Sequence, residues 1–142
     1  MRSRIGMVLS LAILSIFFSV SSLQANEVAE KAAVTASNAW LSLVDGENYV
    51  ESWNQASGFF KNAVTKEQWP NTVKAVRVPL GKLVTRKLKS KQYTKTLPGA
   101  PDGEYVVIQY ETIFENKKSA VETVTPILDQ DGKWRVSGYY IK

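Results

Sequence analysis

Between residues 28 and 43 the apolar positions fall at helical spacing. Ala29, Ala33, Ala36, Trp40 and Leu43 lie three or four apart on one stripe. The alanines at 29, 32, 33 and 36 leave room for a neighbouring element to approach closely. Asp45-Gly46 is expected to end this helix, with Gly46 free to adopt the left-handed conformation. A second helix is predicted over 47–57; Tyr49, Trp53, Ala56 and Phe60 share its face and Gly58 stops it. The short connection makes the first two helices an antiparallel pair. Thr65 and Gln68 form a capping-box pattern, and Trp69, Val73 and Val76 give a third apolar stripe. Pro70 implies either an irregular first turn or a helix that starts there, and the helix is expected to stop before Pro79.

After Gly81 the period becomes two. Strands are predicted over 83–96, 104–115, 118–128 and 134–141. They are separated by a proline- and glycine-rich loop at 97–103, a two-residue turn at Asn116-Lys117, and Asp131-Gly132, a type I′ hairpin signal. Helices followed by strands read as α+β: three N-terminal helices packed on one face of a four-stranded antiparallel meander sheet. With these turns, Glu111 faces Glu122 and Val136 faces Ile127. The helix-facing side is then Val106, Ile108, Tyr110, Phe114, Val121, Ile127, Trp134, Val136 and Tyr140, with Gly138 leaving space. The opposite side carries Tyr105, Val107, Val124, Leu128, Tyr139 and Ile141, which is apolar for a face open to water. That patch predicts a homodimer, two copies covering one another about a two-fold axis.

The segment ahead of the first helix has a different character. Arg2 and Arg4 precede an apolar run at 5–20, and small and polar residues lead to Ala25. This is the pattern of a secretory signal peptide cut near Ala25. Residues 26–142 then form a single α+β domain. Cleavage would remove two arginines and no acid, lowering the formal charge from +5 to +3. Export without cysteine suits a bacterial periplasm, with no membrane span once the leader is removed.

Composition then removes whole classes of chemistry. The chain has no Cys and no His, so thiolate nucleophiles, imidazole bases and zinc sites built from these ligands are excluded. No cofactor motif is present, and no metal site is expected; Asp129 and Asp131 lack the loop and closing Glu of a calcium-binding helix pair. The candidate acids are Glu111 and Glu122, whose mutual repulsion across a hairpin could perturb one of them near Tyr139 or Tyr140. The competing reading is a charge ladder with the neighbouring lysines. Lys74, Arg77, Lys82, Arg86, Lys87, Lys89, Lys91 and Lys95 run without an intervening acid. Arg86, Lys87, Lys89 and Lys91 thus form a candidate surface for an anionic envelope component or an acidic protein; the alternative is lysine protection of a sheet edge. Export argues against nucleic acid as the partner. Trp40, Trp53, Trp69 and Trp134 fall on apolar stripes, either filling the core or, with Gly138, lining a pocket.

Together, several stretches resemble the bacterial domain-of-unknown-function family numbered 4019. They are Ala39-Trp40-Leu41 with Leu43-Val44-Asp45, Glu47, Tyr49 and Ser52-Trp53; Phe60-Lys61 with Val64-Thr65 and Trp69; and Arg77 with Pro79-Leu80-Gly81. The C-terminal half adds the run 97–105, Glu122-Thr123-Val124, and Asp131-Gly132 followed by Trp134-Arg135-Val136 and Gly138-Tyr139. The resemblance spans nearly all of residues 26–142 and implies an exported protein of Gram-negative bacteria, without supplying an activity. The order of elements is also similar to the cone-shaped fold of nuclear transport factor 2 relatives and to cystatin-like folds, which host enzymes and binding modules alike. The expected function is a non-catalytic periplasmic binding or protein-interaction module. The alternative is a small-cavity isomerase- or dehydratase-like enzyme using a perturbed carboxylate.

Overall fold

Helix α1 runs Leu9–Asp45 and carries the alanine and tryptophan stripe to the core, burying Ala33, Ser37, Trp40, Leu41 and Val44. This computed structural model describes the backbone from Leu9 to Lys142 and the side chains from Ser22 onward. Arg2 and Arg4 and the side chains of the apolar run lie outside the described residues. Ala25, the expected cleavage point, lies within α1. Among the described residues no helix is long and apolar enough to cross a membrane.

The end of α1 differs from expectation in one residue. Asn48 N–H donates to Leu43 O at 2.8 Å and Glu47 N–H to Val44 O at 3.1 Å, a Schellman motif. That motif places Glu47, not Gly46, at the left-handed position, with φ of 61°. The second expected helix is two helices, α2 (Tyr49–Gln55) and α3 (Gly58–Ala63). The chain turns extended at Ala56 and Ser57, and the Ser57 hydroxyl caps α3 by accepting from Phe60 N–H. Gly58 therefore opens a helix rather than stopping one. Helix α4 (Gln68–Leu80) follows the reciprocal Thr65–Gln68 capping box. Pro70 sits in its first turn, where no amide is needed. Its buried stripe is Trp69, Val73 and Arg77, whereas Val76 is exposed.

Four strands follow, β1 (Leu83–Thr94), β2 (Tyr105–Phe114), β3 (Lys117–Leu128) and β4 (Trp134–Ile141), in the antiparallel order β1-β2-β3-β4. The protein is thus α+β, its N-terminal helices packed against a four-stranded meander.

The register departs from expectation at both hairpins. The β2–β3 turn is Glu115-Asn116, since Phe114 pairs with Lys117. A bulge before Ala120 returns one residue, so Tyr110 faces Glu122 and Glu111 faces Val121. A net slip of one residue exchanges the faces of β3. Glu122 and Val124 are therefore fully buried against the helices, while Val121 and Ile127 lie on the outer face. At the β3–β4 turn Gly132 has a φ of 82° and Asp131 lacks the positive φ that a type I′ turn needs. Ile127 consequently pairs with Arg135. A bulge at Ser137 shifts the pairing again, so Val136 and Tyr139 both reach the core while Tyr140 is 59% exposed.

These corrections disperse the expected dimer patch. Val124 is in the core, Tyr139 packs on Trp40, and Ile141 registers with Glu122. Leu128 registers with Trp134, and Tyr105 is buried under the 97–103 loop, its hydroxyl donating to Pro101 O at 2.6 Å. Only Val107 stays half-buried on the outer face beside Gln92. The six residues that motivated a homodimer therefore do not share one outward face.

Each sheet edge is tied at one point from within the chain. On β1 the Tyr93 N–H donates to Glu30 Oε1 of α1 at 3.3 Å. On β4 the Val136 carbonyl accepts from Ser57 N–H at 2.9 Å.

Candidate functional site

The slipped register of β3 brings Glu122 to the centre of a polar network that joins all four strands to the helices. Glu122 Oε1 accepts from Arg86 Nε at 2.7 Å and from the Thr112 hydroxyl at 2.6 Å. Glu122 Oε2 accepts from Arg86 Nη2 at 3.2 Å and from the Tyr139 hydroxyl. All four acceptor positions of the carboxylate are used. Arg86 continues to Asp45, at the end of α1, with Nη1 to Oδ2 at 2.7 Å and Nη2 to Oδ1 at 3.0 Å. From α4, Arg77 Nη2 reaches the same Asp45 Oδ1 at 2.8 Å.

Charge and burial oppose each other throughout this network. Burial pushes the Asp45 carboxyl up, but hydrogen bonds and charge from Arg86 and Arg77 outweigh it and hold the group below its ordinary value. Burial alone would lower Arg86; Asp45 and Glu122 together raise it, so the guanidinium is permanently charged. Burial, then the neighbouring Glu122 charge, pushes the Tyr139 hydroxyl far up and keeps it a donor.

Beside the network the aromatic side chains close on one another. Trp40 packs on Phe60, Trp69 and Tyr139 with ring centroids 6.1, 6.0 and 5.2 Å away. The indoles are also satisfied: Trp40 Nε1 donates to Ser52 O at 2.8 Å, Trp69 Nε1 to Ser52 Oγ at 2.9 Å and Trp53 Nε1 to Val64 O at 2.8 Å. Trp40 and Trp69 thus pack as core. Trp53 is half-buried, with Lys61 Nζ 5.4 Å from its ring centroid. Trp134 packs against the core and, with Trp40, walls a recess of about 450 Å³ that Ala36, Ala39, Leu43 and Gln55 also line. Gly138 registers with Thr125 and opens no pocket floor among the four tryptophans.

The basic strand is divided by its own bulges. Arg86 turns inward and is unavailable to a surface partner. Lys87 registers with Glu111, Lys89 occupies a bulge, and Lys91 registers with the core residue Ile108. Glu111 and Glu122 lie on opposite faces and form no pair, and Tyr140 does not join Glu122. Asp129 and Asp131 are both held by Arg135, at 2.8 Å and 2.7 Å, and among the described residues no cluster of three or more metal-binding groups exists.

A larger cleft, about 620 Å³, lies where α1, α4 and β1 meet, against the β2–β3 turn. It is lined by Val44, Asp45, Glu47, Tyr49, Arg77, Val78, Lys82, Leu83 and Glu115. One wall is braced by the β2–β3 turn: Asn116 N–H donates to Leu80 O at 2.9 Å, and Lys82 N–H donates to Glu115 Oε1 at 3.0 Å. Sequence reasoning did not single out Arg77 or Asp45 as site residues. The available signal was an arginine eight residues after Trp69, two helical steps along the stripe through Val73.

Comparison with known proteins gives a family but no chemistry. The model described as "Protein of unknown function (DUF4019)" matches residues 36–139, and the chain belongs to that family. No curated protein and no solved structure matches it.

Proposed function

We propose that this protein is an exported, non-catalytic binding module of the bacterial cell envelope. The observation that carries the reading is the saturation of Glu122. An acid or base catalyst must exchange a proton with a substrate it can touch. Glu122 is fully buried, and its acceptor positions are filled by Arg86, Thr112 and Tyr139. It works as the joint between strands and helices, which supports a structural role for this carboxylate over the acid–base role an isomerase-like mechanism would give it. Export is supported by Arg2, Arg4, the apolar run at 5–20 and the small residues before Ala25.

The test starts from protein isolated, without refolding, from the periplasm of the native cells. Its intact mass should begin near Asn26, and native mass spectrometry should detect a retained small molecule. A turnover that disappears in Glu122→Gln while the circular dichroism spectrum is unchanged would replace this reading with catalysis.

A further inference from the structure

The recess beside Trp134 is bordered by three elements. Helix α1 supplies Ala39 and Leu43, α2 supplies Glu51 and Gln55, and β4 with the turn before it supplies Lys133 and Trp134. Trp134 differs from the other tryptophans in its hydrogen bonding. The indoles of Trp40, Trp53 and Trp69 donate to Ser52 or Val64. The Trp134 N–H donates to no group among the described residues, and it is not one of the sealed polar atoms that lack a partner, so it is open to solvent. The ring itself is half-buried against the core. An indole with its ring anchored and its N–H free offers an apolar face and a polar handle together.

The remaining polar groups of the recess are exposed and only partly used. Gln55 Nε2 donates to Glu51 Oε1 at 2.7 Å and Asn54 Nδ2 to Glu51 Oε2 at 3.1 Å. Each carboxylate oxygen keeps a second acceptor position, and the Gln55 carbonyl oxygen accepts from nothing among the described residues. Lys133 Nζ makes no ion pair among the described residues, whereas Arg135 is committed to Asp129 and Asp131. Free acceptors from α2 and free donors from the β3–β4 turn and β4 thus border one recess. Glu51 and Lys133 offset one another and Arg135 is offset by its aspartates, so the lining selects neither sign of ion. A wholly apolar ligand would take water from these groups and return no hydrogen bond. Hydroxyls both donate and accept, so a ring that carries several of them satisfies both kinds of group at once. The C–H face of such a ring suits the indole and the alanines. About 450 Å³ is the size of a small-molecule site.

We propose that this recess binds a neutral sugar, the apolar face of one ring against Trp134 and its hydroxyls on Gln55, Glu51 and Lys133. The assignment rests on the binding-module reading and names its ligand class. The test is calorimetric titration of the protein, isolated from cells and dialysed, with D-glucose, D-galactose, N-acetyl-D-glucosamine and the β1→4-linked disaccharide of each. Glycerol, cyclohexanol and N-acetyl-leucinamide serve as comparisons: hydroxyls without a ring, a ring with one hydroxyl, and a neutral amide. Saturable one-to-one binding of at least one sugar is expected. A disaccharide that binds more tightly than its monomer would identify a glycan chain as the ligand, and equal affinity a free sugar. Ala39→Leu fills the recess from an exposed position with a good helix former, so it should abolish binding without lowering the thermal midpoint. Trp134→Phe keeps a ring but loses the N–H and should weaken binding roughly tenfold, as should Gln55→Ala at its exposed position. Sugar affinity indifferent to Ala39→Leu and Trp134→Phe would overturn the proposal, as would tighter binding of cyclohexanol or the amide than of any sugar. A retained molecule of other chemistry, with no response to any sugar, would overturn it while leaving the binding-module reading intact. Turnover dependent on Glu122 would overturn both.

Discussion

Arg86 grips Glu122 with two nitrogens, Nε at 2.7 Å and Nη2 at 3.2 Å, from the opposite side of β2. The arginine comes from an edge strand, and the glutamate is completely buried. Removing Arg86 leaves the buried Glu122 charge without a counter-ion, and removing Glu122 leaves Arg86 with Asp45 alone and strands the Thr112 and Tyr139 hydroxyls. Glu122→Gln should therefore cost about 3 kcal/mol or more of unfolding free energy, measured by urea denaturation. The double variant Arg86→Met/Glu122→Leu should lose less than the two single changes together. Additive losses would mean the two residues are not energetically coupled.

Glu47 occupies a position that suits glycine. Glu47→Gly should raise stability by about 0.5–1 kcal/mol, because relief of the left-handed strain exceeds the added freedom of the unfolded chain. The same denaturation experiment measures it.

Gly81 joins α4 to β1 with φ of 75° and ψ of −166°, a region essentially reserved for glycine. A Cβ there would stand 2.9 Å from Glu115 Cβ. Gly81→Ala should cost at least about 2 kcal/mol and loosen the wall of the cleft. A thermal midpoint equal to that of the wild type would show that the connection relaxes freely.

Five tyrosines, at 49, 93, 105, 110 and 139, have hydroxyls pushed up, Tyr93 and Tyr110 to about 12. For Tyr139 the folded state favours the neutral hydroxyl. That contribution to stability is fully present below the unfolded value near 10 and is lost as pH rises toward the folded one. Absorbance at 295 nm should show Tyr93, Tyr110 and Tyr139 still largely neutral just above pH 10, with Tyr139 ionising only as near-ultraviolet dichroism disappears. Stepwise ionisation from pH 9.5 in the folded protein would contradict the buried placements.

Asp45 has the opposite sign. Its folded value lies below 3.8, so its contribution is present above that pH and is lost as pH falls through the folded value. Asp45→Asn should flatten the acid limb of a stability–pH profile below about pH 4. An unchanged acid limb would mean that other carboxylates govern acid unfolding.

The elements were legible in the sequence because each segment keeps one period for most of its length. The faces of β3 were not. Glu122 sits between Val121 and Val124, and an isolated glutamate reads as the exposed partner of an alternating strand. Its burial depends on Arg86, thirty-six positions earlier, turning inward from a run of lysines. No local pattern encodes that pairing. Turn placement compounded the difficulty: Glu115-Asn116 instead of Asn116-Lys117 is a small change in loop chemistry, yet with the following bulge it inverts the strand. Arg77 was obscured by the same lysine-rich context, although its spacing from Trp69 and Val73 placed it on the buried stripe.

The guard on the β1 edge has a consequence for the order of folding. Glu30 and Tyr93 are sixty-three residues apart, so their contact forms only after the long N-terminal helix has docked. Until then β1 is an open template to which another copy of the chain could pair. Lys87, Lys89 and Lys91 keep that template charged during this interval. On this view the lysines act along the whole of β1 in the nascent molecule, as mutual repulsion between unfinished copies, and in the finished one along the stretch that the helix leaves exposed. If the leader is cut after Ala25, Glu30 lies just over one helical turn inside the new terminus. Processing a few residues further along would release the protein without its permanent guard.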